Sequence, residues 1–138
     1  METRKEEAAR KKRSGLNCAQ AVACTYCDYA GIDEETMANI TQAFGAGMAT
    51  MEGTCGAISG ACAVIGMVNS KNGRSQNSKA KTMKDTREIV NAFLNQNKSI
   101  TCKDLKGIET GVVLRSCEDC VRDAAELLEK TLEKQEMK

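Results

Sequence analysis

The segment GTCGAISGACAVIG, Gly53–Gly66, decides the fold of this chain. It is uncharged and consists mostly of small residues, with Cys55 and Cys62 spaced so that they would share one helix face. A membrane span needs about 20 strongly apolar residues, whereas this segment is shorter and rich in glycine. Each glycine also costs a helix roughly 1 kcal/mol relative to alanine, so a close contact must offset that cost. The segment therefore predicts a buried helix packed tightly on a neighbouring helix.

Small residues recur along one side of this predicted helix. Gly56, Gly60 and Ala63 fall at helical spacing and would let a second backbone approach closely. Gly53, Gly56 and Gly60 would also let the backbone come close to the sulfur atoms of a bound inorganic group. Because tight small-residue contacts are typical of helix dimers, this face also predicts a homodimer.

Helical patterns continue through the rest of the chain, and no proline obliges a helix to break. Asn17 suits the N-cap of the second helix, and Gly31 suits its C-terminal end. Thr54 and Ser116 are suitable N-caps for the small-residue helix and the last helix. The polar segment NSKNGRSQNS (69–78) predicts an exposed turn. The predicted helices cover about residues 3–13, 18–30, 33–44, 54–68, 77–97 and the region after 116.

These patterns predict an all-α fold, a compact bundle of four to five helices in one domain over residues 1–138. A charged N-terminal helix would occupy residues 1–13, and residues 131–138 would form a polar C-terminal end. The glycine-rich stretch 45–53 predicts a connection between helices. The stretch 99–111 predicts a connector with at most one turn of helix.

Composition excludes several classes of function. A net charge of +1 and 3% aromatic residues do not suggest nucleic-acid binding. No apolar N-terminal leader is visible, so we expect a cytoplasmic protein without a membrane partner. Eight cysteines in a reducing compartment indicate metal binding or redox chemistry more than structural disulfides. The absence of histidine excludes imidazole zinc ligands, a Cys–His nucleophile pair and an axial haem histidine.

Four cysteines follow residues that commonly begin helices. A thiol in the first turn of a helix lies near the positive end of the helix dipole, which favours the thiolate. Thiolates are the form of cysteine that binds metals and attacks disulfides. The primary candidates for a redox or metal site are therefore Cys18, Cys55, Cys102 and Cys117.

The other four cysteines are secondary candidates, and each also suits the role of a small buried apolar residue. Cys24 and Cys27 are three residues apart and would suit a vicinal redox pair. They lie far along the chain from the CEDC motif at Cys117–Cys120, which is unlike the close pairs of a zinc ribbon. The secondary candidates are Cys62, Cys24, Cys27 and Cys120.

Several motifs together resemble a known family. They are NCAQAV (17–22), FGAGM and GTCGAISGA within 44–61, TCKDL (101–105) and CEDCVRDAAELLE (117–129). In this order they resemble the redox-active proteins named for a C_GCAxx_C_C pattern, which are also similar to a domain of split-Soret-type cytochromes. The resemblance implies electron transfer, an iron–sulfur cluster, and Cys18, Cys55, Cys102 and Cys117 as the family cysteines. The sequence has TCGA and GACA in place of Gly-Cys-Ala, so either Cys55 or Cys62 could hold the second position.

Three functions follow for this chain. In the first, four helix-N-terminal thiolates bind an iron–sulfur cluster that exchanges electrons with a redox partner protein. In the second, no cofactor is needed: Cys55 attacks a disulfide and Cys62 or Cys117 completes the exchange. In the third, four cysteines hold a structural zinc ion. The remaining alternative involves no chemistry: the cysteines only fill the core of a helical interaction module. The sequence alone identifies neither a substrate nor an enzyme class.

Overall fold

Regular structure in this protein is helical wherever the computed structural model describes the chain, at residues 3–70 and 75–136. The predicted all-α class is therefore confirmed. Residues 71–74, within the predicted exposed turn, and the terminal residues 1–2 and 137–138 lie outside the described residues. The helices are α1 (Lys5–Arg13), α2 (Cys18–Thr25), α3 (Cys27–Ala30), α4 (Glu34–Thr41), a 3-10 turn (Gln42–Phe44), α5 (Gly45–Met48), α6 (Gly56–Asn69), α7 (Gln76–Asn97), α8 (Cys102–Lys106) and α9 (Cys117–Glu136).

The small-residue helix α6 lies at the centre of the bundle. It packs on α2, α7 and α9, while α1 packs on α9 and α4 packs on α2. A side chain at Gly60 would clash with the backbone carbonyl of Ala19, so the two helices approach as closely as the sequence predicted. The side chains of Ile58, Phe93 and Leu128 are almost completely buried among these helices. No described helix is both long enough and apolar enough to span a bilayer.

The small-residue face therefore has a partner within the same chain. Gly56 and Gly60 face α2, and the close approach that favoured a dimer is used inside the protomer. The homodimer stays a prediction that a single chain does not test.

The predicted helix over 18–30 is divided by Tyr26. Asn17 caps α2 with a capping box formed with Gln20, and Gly31 ends α3 in the left-handed conformation, as expected. Tyr26 has φ −116° and ψ 19°, which separates α2 from α3. Its ring is fully buried, and its hydroxyl donates a hydrogen bond to the Glu129 carboxylate at 2.5 Å. A tertiary contact with α9 therefore sets the break. No proline or glycine lies at this position, so the local sequence does not predict it.

The start of α6 also differs from the prediction. Thr54 is not the N-cap; that position is taken by Cys55, and the helix begins at Gly56. Thr54 instead forms an isolated antiparallel bridge with Thr101. Pairing with this second strand-like segment holds Thr54 in extended backbone, so the helix starts later than the sequence pattern suggests.

Candidate functional site

Five cysteine thiols line one cavity at the end of the bundle. The four primary candidates are brought together there from four separate parts of the fold, the first turns of α2, α8 and α9 and the N-cap of α6. Cys120, one turn after Cys117 on α9, is the fifth. All but Cys117 are at most 7% exposed. The complete lining consists of Cys18, Cys55, Cys102, Leu105, Lys106, Arg115, Cys117 and Cys120.

Cys18 is positioned by the cap of α2 and by a glycine on α6. The Asn17 side chain accepts a hydrogen bond from the backbone of Gln20 at 2.9 Å, which fixes the first turn. A side chain at Gly56 would clash with the Cys18 sulfur. The absence of a side chain at this position therefore makes space for the sulfur. Burial raises the pKa of Cys18, and the backbone N–H of Ala46 beside the sulfur opposes that effect.

Cys55 interacts directly with Cys120 across the cavity. A hydrogen bond with the Cys120 thiol, with further contributions from the backbone N–H groups of Ala57 and Ile58, lowers the pKa of Cys55 to about 7. The same hydrogen bond, together with burial, raises the pKa of Cys120. The interaction therefore shifts the two pKa values in opposite directions, down for Cys55 and up for Cys120, while the Cys120 sulfur lies 3.9 Å from the Arg115 carbonyl oxygen.

A strained turn lies next to two of the cavity cysteines, Cys18 and Cys102. Residues 46–49 all have φ between 52° and 69°, a left-handed turn in which only position 47 is glycine. This conformation costs roughly 1–2 kcal/mol for each residue with a side chain. A side chain at Gly47 would lie 2.7 Å from the Cβ atom of Cys102, and Ala46 is beside Cys18. Backbone strain is therefore located where the chain contacts two of the cysteines, as is common at functional sites.

The donor set of the cavity suits a metal that prefers sulfur. Four thiolates are the usual ligands of iron–sulfur clusters and of cysteine-only zinc sites. The space between the side chains is about 10 Å³, close to that of one water molecule. A bound group larger than one water molecule would therefore require the side chains of the cavity to move apart. Within residues 3–70 and 75–136, no three His, Cys, Asp or Glu side chains are spaced to hold a single ion.

The remaining cysteines lie away from the cavity. Cys62, on α6, interacts with Thr86, and burial raises its pKa. Cys24 is buried, its sulfur is 3.6 Å from the Glu34 carbonyl oxygen, and burial raises its pKa to about 11. Cys27 is in α3, after the break at Tyr26. Of the two positions left open by the sequence, the structure places Cys55 and not Cys62 in the cavity.

The three glycines expected near a bound group have different surroundings. Only Gly56 faces a cysteine sulfur, that of Cys18. Gly53 packs on the carbonyl of Gly47, and Gly60 packs on Ala19. The approach of all three backbones to one bound group stays a prediction, while in the structure Gly53 and Gly60 allow close packing between parts of the chain.

Sequence reasoning missed two cationic residues of the site, Lys106 and Arg115. Lys106 lies four positions after Cys102, so one helix turn places both on the same face. The four-residue spacing between Cys102 and Lys106 is the sequence feature that could have identified this lysine. Arg115 lies in the loop before α9, where its position depends on ion pairs with Asp119 and Asp123 that have no sequence pattern of their own.

Comparison with known proteins gives one result. The family model described as "Putative redox-active protein (C_GCAxxG_C_C)" matches residues 16–131, a range that contains every residue of the cavity. Neither the curated proteins nor the solved structures include a match to this chain.

Proposed function

We propose that this chain, which belongs to the C_GCAxxG_C_C redox-active protein family, transfers electrons through an iron–sulfur cluster held by Cys18, Cys55, Cys102 and Cys117. The observation that carries the proposal is the convergence of these thiols, from four separate elements, on one cavity. Four sulfur donors are the normal ligand set of such a cluster, and the cluster would supply a one-electron redox couple.

The surroundings of the thiols support this proposal. Backbone N–H groups lie beside Cys18 and Cys55, where they stabilise negative charge on sulfur. Such donors also raise the reduction potential of a sulfur-ligated cluster. Burial of most of the thiols excludes water from the centre. We further propose that the electrons come from and go to a protein partner in the cytoplasm, because a buried centre does not meet small molecules freely.

A second candidate is thiol–disulfide exchange without a cofactor, and the contact between Cys55 and Cys120 favours it specifically. The Cys55 thiolate would attack a partner disulfide and release one partner thiolate. The Cys120 thiol would then lose its proton and displace the second partner thiolate, leaving a Cys55–Cys120 disulfide and a reduced partner. The sequence suggested Cys62 or Cys117 as the second thiol; Cys62 lies outside the cavity, and Cys120 is the residue that contacts Cys55.

One experiment separates these functions. The full chain is purified without oxygen, and its visible spectrum, iron, zinc, acid-labile sulfide and free thiols are measured on the same sample. Visible bands that bleach with dithionite, with stoichiometric iron and sulfide, support the cluster. Zinc without sulfide would indicate the structural zinc site. A colourless, metal-free protein that loses two thiols on mild oxidation would overturn the cluster and leave disulfide exchange.

Single serine substitutions then identify the ligands. Replacement of Cys18, Cys55, Cys102 or Cys117 is expected to lower iron content strongly. Cys62→Ser is the matched control, because Cys62 is a partly buried cysteine outside the cavity. Equal iron loss in Cys62→Ser and Cys18→Ser would contradict the proposed ligand set.

A further inference from the structure

A loop of exposed apolar residues connects α8 to α9. Within residues 108–114, the side chains of Ile108, Val112, Val113 and Leu114 are all exposed, the two valines at 61%. These four make up half of the large apolar residues that are exposed in the part of the chain described by the structure. We call residues 108–114 the apolar loop. Single exposed apolar residues are ordinary, whereas a cluster is typical of an interaction site.

The backbone of the apolar loop is fixed by hydrogen bonds. The N–H of Gly111 donates to the Gly107 carbonyl at 2.9 Å, and the N–H of Leu114 donates to the Leu105 carbonyl at 3.0 Å. Gly107 has φ 70°, and a side chain there would clash with the Val112 carbonyl, so the loop folds tightly on itself. A loop that is already ordered loses little conformational entropy on binding, which favours affinity. The exposure of its apolar side chains is therefore a feature of ordered structure.

The apolar loop lies directly beside the thiol cavity. Lys106 comes shortly before it and Arg115 follows it, and both residues line the cavity. Arg115 forms an ion pair with Asp123 at 2.9 Å, which compensates its charge. Cys117, two positions after Arg115, is partly exposed, whereas the other cavity cysteines are buried. A protein that covers the apolar loop would therefore lie close to the centre, next to the thiol that reaches the surface.

Two exposed carboxylates set the charge beside the apolar loop. The side chain of Glu109, within the loop, is 69% exposed, and that of Glu52 is 72% exposed. Both form ion pairs with Lys103, whose side chain is only 28% exposed. Because two exposed carboxylates share one less exposed ammonium group, the surface next to the loop carries an excess of negative charge. An apolar patch surrounded by basic residues is complementary to this surface.

The size of the apolar loop indicates a transient partner. A stable interface buries about 800 Å² on each partner and involves about 20–30 residues a side. The loop offers four large apolar side chains, which are the core of a much smaller contact. Electron-transfer complexes are at the small end of the range of interface sizes, because the partners must separate after each transfer. A short-lived encounter is therefore favoured over a permanent dimer.

We propose that the apolar loop is the docking surface for a one-electron carrier protein whose redox group lies in an apolar patch surrounded by basic residues. In the complex one electron passes from the reduced centre to the carrier, so the centre is oxidised by one electron and the carrier is reduced by one. The identification of the partner as an electron carrier rests on the proposed function. The docking of a basic, partly apolar protein surface does not depend on it.

The test uses the full chain, purified without oxygen, and mitochondrial cytochrome c as the probe. Cytochrome c is a basic protein that accepts one electron at its ferric haem iron. In the first variant, Val112→Ser and Val113→Ser are combined, which removes apolar surface without adding a charge. In the second variant, Glu109→Lys reverses a charge within the loop.

Met83→Ser is the matched control for loss of exposed apolar surface. Met83 is 51% exposed and lies in a groove with Gly66, about three helix turns along α6 from the cavity. Circular dichroism and thermal unfolding show whether each variant is folded.

Two readouts are used, one of which needs no electron transfer. The first is the second-order rate at which chemically reduced protein reduces ferric cytochrome c at low ionic strength. The reaction of the same protein with a small redox dye shows whether the centre itself is intact. The second readout is cross-linking by a carbodiimide, which joins carboxylates to lysines in contact with them. The masses of the linked peptides show whether Glu52 and Glu109 are joined to cytochrome c.

Both loop variants are expected to lower the electron-transfer rate about tenfold and to lower the yield of linked peptides, with the dye reaction unchanged. Met83→Ser is expected to stay within about twofold of the parent protein. The rate of the parent protein should fall as salt is added, because salt screens the exposed carboxylates. Parent-like rates and yields in both loop variants, or an equal decrease in Met83→Ser, would overturn the proposal.

Other occupants of the apolar loop are distinguished with the same variants. Flotation of the parent protein with vesicles of phosphatidylglycerol and phosphatidylcholine, lost in the double valine variant, would mean that the loop binds a membrane. A dimer in sedimentation equilibrium that the double valine variant dissociates would mean that a second copy covers the loop. Either result would contradict the proposal. Linked peptides from Glu109 in protein that holds no iron and transfers no electron would refute the proposed function and keep the docking surface.

Discussion

Cys55 and Cys102 are held side by side by their own backbones. The N–H of Cys55 donates to the Ile100 carbonyl at 2.7 Å, and the N–H of Cys102 donates to the Gly53 carbonyl at 3.0 Å. These bonds flank the bridge between Thr54 and Thr101. Two cavity thiols from distant parts of the sequence are therefore aligned by main-chain hydrogen bonds rather than by side-chain packing alone.

A substitution at Gly47 tests how firmly the alignment of Cys55 and Cys102 is supported. Gly47→Ala would place a methyl group 2.7 Å from the Cβ atom of Cys102, at a backbone position with φ 58°. We expect a loss of about 1–3 kcal/mol in the free energy of unfolding, measured with urea. We also expect faster alkylation of Cys102 as the segment loosens. Unchanged stability and unchanged Cys102 protection would show that the turn adjusts without cost.

Two glycines of α6 provide a matched pair for the packing of the bundle. Gly60→Ala would clash with the Ala19 carbonyl, so we expect destabilisation by about 2 kcal/mol or more. Gly66→Ala meets no atom within 4 Å and is expected to stabilise the helix by about 0.5–1 kcal/mol. Urea unfolding of both variants measures the difference. Destabilisation of similar size in both would contradict the close contact between α2 and α6.

The reactivity of Cys55 should depend on pH in a specific way. Because Cys55 has its pKa lowered to about 7, its alkylation rate in metal-free protein is expected to rise with pH around that value instead of around 9. Below the midpoint the protonated thiol predominates and reacts slowly; above it the thiolate reacts. The rate is read from the mass of the Cys55 peptide over a series of buffers.

Variants of Cys120 identify the cause of this shift. Cys120→Ala removes the hydrogen-bond donor, so the midpoint for Cys55 should move to higher pH. Cys120→Ser keeps a hydroxyl donor and should preserve more of the shift. Cys62→Ala should leave the midpoint unchanged. A midpoint that is the same in Cys120→Ala and the parent would assign the lowered pKa to the backbone N–H groups instead.

The contact between Tyr26 and Glu129 should contribute to stability. Tyr26→Phe leaves the buried Glu129 carboxylate without the hydroxyl donor, which is expected to cost about 1–3 kcal/mol in the free energy of unfolding. Glu126→Gln serves as the control on the same helix, because Glu126 is only partly buried and its ion pairs with Lys5 and Lys130 are solvent-accessible and contribute little. Equal effects in urea unfolding would mean that the buried contact contributes no more than a surface pair.

Local signals in the sequence account for much of this structure. Asn17 and Ser116 cap helices as their side-chain chemistry predicts, and Gly31 ends a helix. The positions of the four primary cysteines near helix starts predict a shared site, and the structure places all four in one cavity. The connector helix containing Cys102 is short, as expected, although its five residues exceed the single turn that the sequence predicts.

Features set by tertiary contacts were not predictable from local pattern. Tyr26 breaks a helix because its ring and hydroxyl are fixed against α9. The left-handed turn contains alanine and methionine, residues that do not favour that conformation, so the surrounding contacts must impose it. The contact between Cys120 and Cys55 depends on how α9 packs against α6, and no spacing in the sequence encodes that.

The convergence of cysteines that are far apart in the sequence has a consequence for maturation. Cys18 is in α2 and Cys120 is in α9, so the centre is complete only after the segment from α2 to α9 has been synthesised and packed. An unfolded chain would present the same thiols far apart, and any ligand that binds only the assembled centre would stabilise the native state by mass action. Binding of a cofactor would thus be a late step in folding. The resistance of newly made chains to proteolysis would rise when that ligand is supplied.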